Sequence, residues 1–176
     1  LAETSHHTSR HNGITHHYFQ QQYQGIPIDG AVLQVHINQD EELVFLSQSL
    51  ERKINNRINA IQPALTLTQA FEKLRKELEL DENYASIQYE STYGPAQKTK
   101  FYAYELSHQP IHMQLVYREH AGMLHLCWNI RLWSMDEKNW WNAWVDAKDG
   151  TIYQLRDEVI SCDFPHTHHN TSCAPA

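Results

Sequence analysis

The chain has 176 residues, a formal net charge of -7 and 41% hydrophobic residues, a composition typical of a folded globular protein. The acidic balance argues against general nucleic-acid binding, which depends on neutralising phosphates. No apolar run approaches the roughly 18 residues of a membrane helix. The 6 glycines are too few to suggest glycine-rich phosphate-binding loops.

The first part of the chain is predicted to consist of strands. Residues 1–12 are polar and rich in histidine, and we expect a loose N-terminal segment there. The stretch from Thr15 to Gln24 is rich in aromatic residues and glutamine, which favours a strand. Apolar and polar residues alternate from Ala31 to Asn38, and a second strand is predicted over Leu43 to Ser49. These two strands should form a hairpin.

One clear helix is predicted to begin near Thr66. Thr66 and Gln69 have the spacing of a capping box, in which each residue satisfies a backbone N–H of the other. An apolar stripe at helical period follows, made of Leu67, Ala70, Phe71, Leu74 and Leu78. The polar segment before the helix, residues 51–63, is interpreted as a linker.

After the helix the pattern returns to strands. The longest alternating run extends from Leu124 to Leu132, and its apolar face is expected to pack on the helix. Asp149 and Gly150 separate two further apolar runs, which predicts a hairpin. The predicted fold class is α+β, with antiparallel sheets and one clear helix packed on the second sheet.

Motif searches argue against catalysis. None of the 13 histidines is followed by glutamate, so the HExxH zinc-protease motif is absent. GxSxG, Walker and GxGxxG motifs are absent as well. We assign no catalytic and no cofactor-binding residue, and the chain is predicted not to be an enzyme.

Three clusters leave alternatives open. His166, His168 and His169 are candidate ligands for a transition metal, although neighbouring loop histidines are usually solvated. The 5 tryptophans lie within residues 128–144, where they form either a sheet core or a stacking surface for sugars or peptides. Cys162 and Cys173 either close a short disulfide loop or are two free thiols.

Two stretches of the sequence resemble a known family. Residues 15–31, THHYFQQQYQGIPIDGA, and the hairpin after them resemble the fungalysin/thermolysin propeptide (FTP) motif, roughly T-H-x-x-F-x-Q-x-x-x-G-I-P-V-x-x-A. Residues 141–152 resemble the end of a PepSY domain, V-D-A-x-x-G-x-I. The turn after Asp40 departs from the family, which often has Asp-Gly where this chain has Glu41-Glu42. The motif residues are His16, Phe19, Gln21, Gly25, Ile26, Pro27, Ala31, Trp144, Val145, Asp146, Ala147 and Gly150.

The two motifs in this order, with a helix between them, are similar to the prodomain of fungalysin-type secreted zinc metallopeptidases. This resemblance implies an FTP-like part over residues 13–62, a cystatin- or PepSY-like helix and meander over residues 63–160, and a tail over residues 161–176 leading toward a peptidase domain. It implies a secreted prosegment that inhibits the peptidase and assists its folding. The catalytic domain would be the partner, and zinc would be bound there, with no cofactor in this chain.

Export, which the resemblance implies, favours a disulfide between Cys162 and Cys173 and leaves Cys127 as a buried free thiol. Two other functions are weighed against the prosegment. One is a free-standing secreted protease inhibitor or binding module with the same fold, and the other is a histidine-rich metal-binding protein.

Overall fold

The computed structural model describes residues 1–81, 84, 88–91 and 94–159. Its strands are β1 Ala2–Thr8, β2 Thr15–Tyr23, β3 Ile26–Ile37, β4 Leu43–Gln48, β5 Gln88–Ser91, β6 Thr99–Tyr102, β7 Ile111–His120, β8 Met123–Trp133, β9 Trp140–Asp146 and β10 Ile152–Asp157. One α-helix, α1 Leu67–Glu77, and a 3-10 turn, Ile54–Asn56, complete the regular structure of these residues. Neither has the length and apolar content that crossing a bilayer requires.

Strands β1 to β4 form an antiparallel meander in chain order. The predicted strand at Thr15 and the predicted hairpin are confirmed by β2, β3 and β4. The segment expected to be loose instead contains β1, which pairs with β2 along its whole length. Strand pairing uses backbone groups and needs no apolar side chain, so the polar composition of β1 concealed it.

Strands β7 to β10 form a second antiparallel meander, and β6 and β5 extend it beyond the other edge of β7. The hairpin predicted at Asp149 and Gly150 is confirmed by β9 and β10. The two meanders join where the start of β3 runs parallel to β7, with Ile28 opposite Tyr117. The ten described strands therefore belong to one mixed sheet.

The predicted fold class, α+β with antiparallel sheets, is wrong. The structure is mostly β, with 51% strand and 9% helix, and its large sheet is mixed. The physical reason is the length of β3, whose 12 residues pair with β2 along one edge, and with β7 near the start and β4 near the end of the other edge. Alternation along a sequence reports local burial, and it carries no signal for pairing between distant strands.

Helix α1 begins as predicted. The Thr66 hydroxyl accepts from the Gln69 N–H at 3.2 Å, and the Gln69 side-chain oxygen accepts from the Thr66 N–H at 2.8 Å. The buried face of α1 shares one core with Leu126, Trp128 and Ile130 of β8, so the predicted packing is confirmed. Trp128 also donates its indole N–H to the Leu65 carbonyl at 3.0 Å.

Hydrogen bonds hold the segment interpreted as a linker against the sheet, on the side that α1 covers. The Tyr117 hydroxyl donates to the Ala60 carbonyl at 3.0 Å, and Asn59 accepts from the Leu126 N–H at 2.8 Å. Arg57 donates to the Gly122 carbonyl at 2.8 Å. Helix and linker together cover one face of β7 to β9, and the side chains that alternate with the core residues project from the other face.

Candidate functional site

The FTP-like residues at the start of β3 anchor the hairpin to the rest of the molecule. Ile26 and Ala31 are buried in the common core. Gly25 lies in the β2–β3 turn with φ +80°, and a Cβ there would lie 2.8 Å from Pro95 Cγ. Only glycine meets both the positive φ and this close approach without strain. These motif residues therefore build the fold and present no chemistry.

Gln21 of the motif and its neighbour Gln20 satisfy backbone groups. Gln21 accepts from the Glu51 N–H at 2.7 Å and donates to the Glu51 carbonyl at 3.0 Å. Gln20 donates to the carbonyls of Ile28 and Ala31 at 2.6 and 2.9 Å, beside the bulge between β2 and β3. Gln21 is a motif residue, whereas the role of Gln20 was not predicted, because no signal in the sequence marks the bulge beside it.

Histidines line one face of the β1–β4 meander. His7, His16 and His36 lie across from one another on β1, β2 and β3. The ring centroids of His7 and His16 are 4.7 Å apart, and those of His16 and His36 are 4.2 Å apart. Burial, followed by the neighbouring imidazoles, lowers the pKa of His16. The motif residue His16 is thus the central ring of an aromatic row.

The opposite face of the same strands carries Glu3, His6 and His17. The Glu3 carboxylate lies 2.9 Å from His17 Nδ1 and 3.2 Å from His6 Nδ1. The hydrogen bond with His17 is the main cause of a lowered Glu3 pKa. The motif residue Phe19 stacks on His17, with centroids 6.3 Å apart.

Strand β4 exposes apolar side chains on both faces. Leu43, Val44, Phe45 and Leu46 are 60%, 53%, 47% and 50% exposed. The part of the chain that the structure describes builds no second layer over this strand, since all six of its residues are exposed. Consecutive exposed apolar residues in a strand indicate an interaction surface.

A groove of about 650 Å³ lies on the side of the second meander that α1 does not cover. Its basic residues are Lys98, Lys100 and Arg131, with His112 beside them and Glu90 as the acidic residue. Burial, followed by Lys100 and Arg131, lowers the pKa of His112 and favours its neutral form. We call this surface the basic groove.

Two tryptophans form one end of the basic groove. Trp133 and Trp140 stack with ring centroids 5.4 Å apart, and Trp140 remains 38% exposed. Trp128, by contrast, is 1% exposed. Trp128 therefore fits the core interpretation of the tryptophan cluster. Trp140 lies in an accessible groove, and stacking of a sugar or peptide on it stays a prediction.

The PepSY-like residues close the β9–β10 hairpin around a buried carboxylate. Asp146, 1% exposed, accepts from the Tyr153 hydroxyl at 2.8 Å and from the Lys148 N–H at 2.6 Å. His125 Nδ1 lies 3.2 Å from the same carboxylate. Burial and the bond to Asp146 raise the pKa of Tyr153. Val145 and Ala147 are core residues, whereas Trp144 lies under the Arg118 guanidinium at 4.3 Å.

The tail residues lie outside the described residues. This applies to the metal candidates His166, His168 and His169 and to the cysteines Cys162 and Cys173, so these assignments stay predictions. Cys127 is a buried free thiol, as predicted, and burial followed by the nearby Asp146 raises its pKa.

Comparison with known proteins finds similarity to a propeptide motif and to extracellular metalloproteinases. Residues 1–50 match the family described as Fungalysin/Thermolysin Propeptide Motif. The chain is 27% identical over 167 residues to "Extracellular metalloproteinase 2" of Arthroderma gypseum and 28% identical over 167 residues to "Extracellular metalloproteinase 2" of Trichophyton rubrum. Each alignment covers 87% of this chain and 24% of the relative, so the chain spans about a quarter of the length of these relatives.

The predicted resemblance to a fungalysin-type propeptide is confirmed by the motif and by this homology. The matched FTP motif is a non-catalytic region of fungalysin precursors, in agreement with the prediction that this chain is not an enzyme. The relatives are extracellular proteins by name. The PepSY resemblance and the domain boundaries stay predictions.

Proposed function

We propose that this chain is the prosegment of a secreted fungalysin-type zinc metallopeptidase, and that it inhibits the catalytic domain and assists its folding. The observation that carries this proposal is a propeptide motif on a sheet whose edge strand exposes apolar residues on both faces. Such a surface is costly in water and is stabilised when a partner covers it. The partner is the zinc-containing catalytic domain.

Two surfaces of the chain are suited to this contact. Strand β4 offers apolar side chains and an outer edge to which an extended segment can add by backbone pairing. The basic groove offers positive charge beside two stacked indoles, in a chain whose net charge is -7. A groove of this sign selects an acidic segment of the partner and speeds its association.

Inhibition in this scheme requires no chemistry from the prosegment. A contact of standard size, about 1,600 Å² in total, is sufficient to cover a substrate cleft. Folding assistance follows from the same contact, because a ligand that binds the folded catalytic domain and not the unfolded chain shifts the equilibrium toward folding.

The direct test adds the purified chain to its mature cognate peptidase and measures the rate of substrate hydrolysis. We expect inhibition that increases with the concentration of the chain, and a higher yield when the denatured peptidase is refolded with the chain. If the chain changes neither rate nor yield, the prosegment function is contradicted and the free-standing binding module replaces it.

Matched charge reversals test the basic groove. Lys100 lies in the groove, and Lys100→Glu is the test variant. Lys76 lies on the exposed side of α1, and Lys76→Glu is the control. Both change the net charge equally, so long-range electrostatic effects are matched. We expect Lys100→Glu to raise the inhibition constant by about tenfold, as loss of a charge pair at an interface does, and Lys76→Glu to leave it unchanged. Equal effects of the two variants would remove the groove from the proposed contact.

A further inference from the structure

Glu3, His6 and His17 bring three possible metal ligands together on one face of the β1–β2 pair. One ligand atom from each side chain lies within 4.8 Å of the others. Both imidazoles direct Nδ1 at the same carboxylate oxygen, at 2.9 and 3.2 Å. The register of β1 and β2, in which His6 is opposite His17, sets the positions of the three side chains.

The spacing agrees with a tetrahedral metal centre. Zinc–nitrogen and zinc–oxygen bonds of about 2.0–2.1 Å place neighbouring ligand atoms about 3.4 Å apart. The two nitrogen–oxygen distances are about 0.5 and 0.2 Å shorter than this value, and the three ligand atoms all lie within 4.8 Å of one another, so small movements of these side chains are enough to admit the ion. Two imidazoles and one carboxylate are also a known ligand set for Zn²⁺, with a fourth position left for water.

We propose that Glu3, His6 and His17 bind one Zn²⁺ ion, and that this ion fastens β1 to β2. The ion takes the place of the proton on each imidazole Nδ1: a neutral imidazole binds as the tautomer that carries its proton on Nε2, and a protonated imidazole releases one proton to the solvent. Access is open, because the side chains of His6 and Glu3 are 64% and 41% exposed. This proposal uses none of the tail histidines and does not depend on the proposed inhibitory function.

The neighbouring histidines supply a matched control. His7 follows His6 on β1 and lies on the opposite face, where its ring stacks on His16. Strand geometry directs consecutive side chains to opposite faces. A His7→Ala variant therefore removes an imidazole from the same strand and leaves the three proposed ligands in place.

The test is calorimetric titration of ZnCl₂ into the 176-residue chain with His166, His168 and His169 replaced by alanine and Cys162 and Cys173 by serine, so that these tail side chains cannot bind the ion. We expect one bound Zn²⁺ per chain. We expect Glu3→Ala, His6→Ala and His17→Ala each to weaken binding by about tenfold or more, as the loss of a ligand does, and His7→Ala to leave it unchanged. Absence of binding in this background, or equal weakening by His6→Ala and His7→Ala, would overturn the proposal.

Thermal unfolding gives a second readout that also reports whether each variant folds. With EDTA, all variants should unfold near the same temperature as the parent. With excess Zn²⁺, the midpoint of the parent and of His7→Ala should rise, because a ligand bound to the folded state stabilises it. A rise of the same size in His6→Ala would contradict the site.

Discussion

Trp128 and Trp140 belong to the same tryptophan cluster and differ in what their indoles contact. Trp128 is 1% exposed and hydrogen-bonded to Leu65, whereas Trp140 is 38% exposed. We expect Trp128→Ala to lower the free energy of unfolding by about 3–5 kcal/mol, as large aromatic truncations in cores do. Trp140→Ala should lower it by less than about 1 kcal/mol.

Urea unfolding followed by circular dichroism measures both variants. His125 is on the same strand as Trp128, and its side chain lies on the opposite face. It is not a suitable control for the Trp128 variant, because it contacts Asn59, Asp146 and Tyr153. If Trp128→Ala lowers the free energy of unfolding by less than about 1 kcal/mol, no more than Trp140→Ala, the assigned core face of β8 is wrong.

A second prediction at the scale of residues concerns the buried carboxylate of Asp146. We expect Asp146→Asn to destabilise the chain by about 1–3 kcal/mol, because the amide group cannot accept at both of the positions that the carboxylate oxygens occupy. Tyr153→Phe removes the hydroxyl that donates to Asp146 at 2.8 Å. A double-mutant cycle measured by urea unfolding should show that the two changes are not additive. Full additivity would mean that this hydrogen bond contributes nothing to stability.

At the scale of elements, substitutions in β4 should change binding to the peptidase without changing the stability of the chain. Phe45 and Leu46 are 47% and 50% exposed and point to opposite faces of the strand. Replacing both with serine should change the free energy of unfolding by less than about 1 kcal/mol, since neither side chain is buried in the core. The same double variant should lose most of its inhibition of the cognate peptidase, because both faces of β4 would become polar.

Ile61 offers the control for this experiment. It is 56% exposed and lies in the segment before α1, outside β4. Ile61→Ser should leave both inhibition and stability unchanged. Retention of inhibition by the β4 variant, with stability preserved, would exclude β4 from the proposed contact.

The elements also show what could be predicted from sequence. Helix α1 and the β9–β10 hairpin were predictable because a capping box and an Asp-Gly turn are local signals. Strand β1 was not, since its stability comes from backbone pairing with β2. The basic groove was missed because its members come from β6, β7 and β8, and only the pairing of these strands brings them together.

At the scale of the whole molecule, we attribute the proposed inhibition to β4 and the basic groove and not to the tail. A peptide of residues 161–176 retains His166, His168 and His169 but lacks β4 and the basic groove. We expect this peptide to inhibit at least about tenfold more weakly than the folded chain, because it buries far less area than a standard interface. Inhibition assays with both species measure the difference. Equal potency would mean that the tail captures the catalytic zinc by itself.

The contact between β3 and β7 has a consequence for the order in which this chain folds. Asp29 and Arg118, which form an ion pair beside that contact, are 89 residues apart in sequence. The hairpins of β1 to β4 close short loops and can form early, whereas the junction must close a much longer loop. During synthesis the N-terminal meander therefore leaves the ribosome well before the strand that anchors it, and its apolar β4 is exposed to the surroundings throughout that interval.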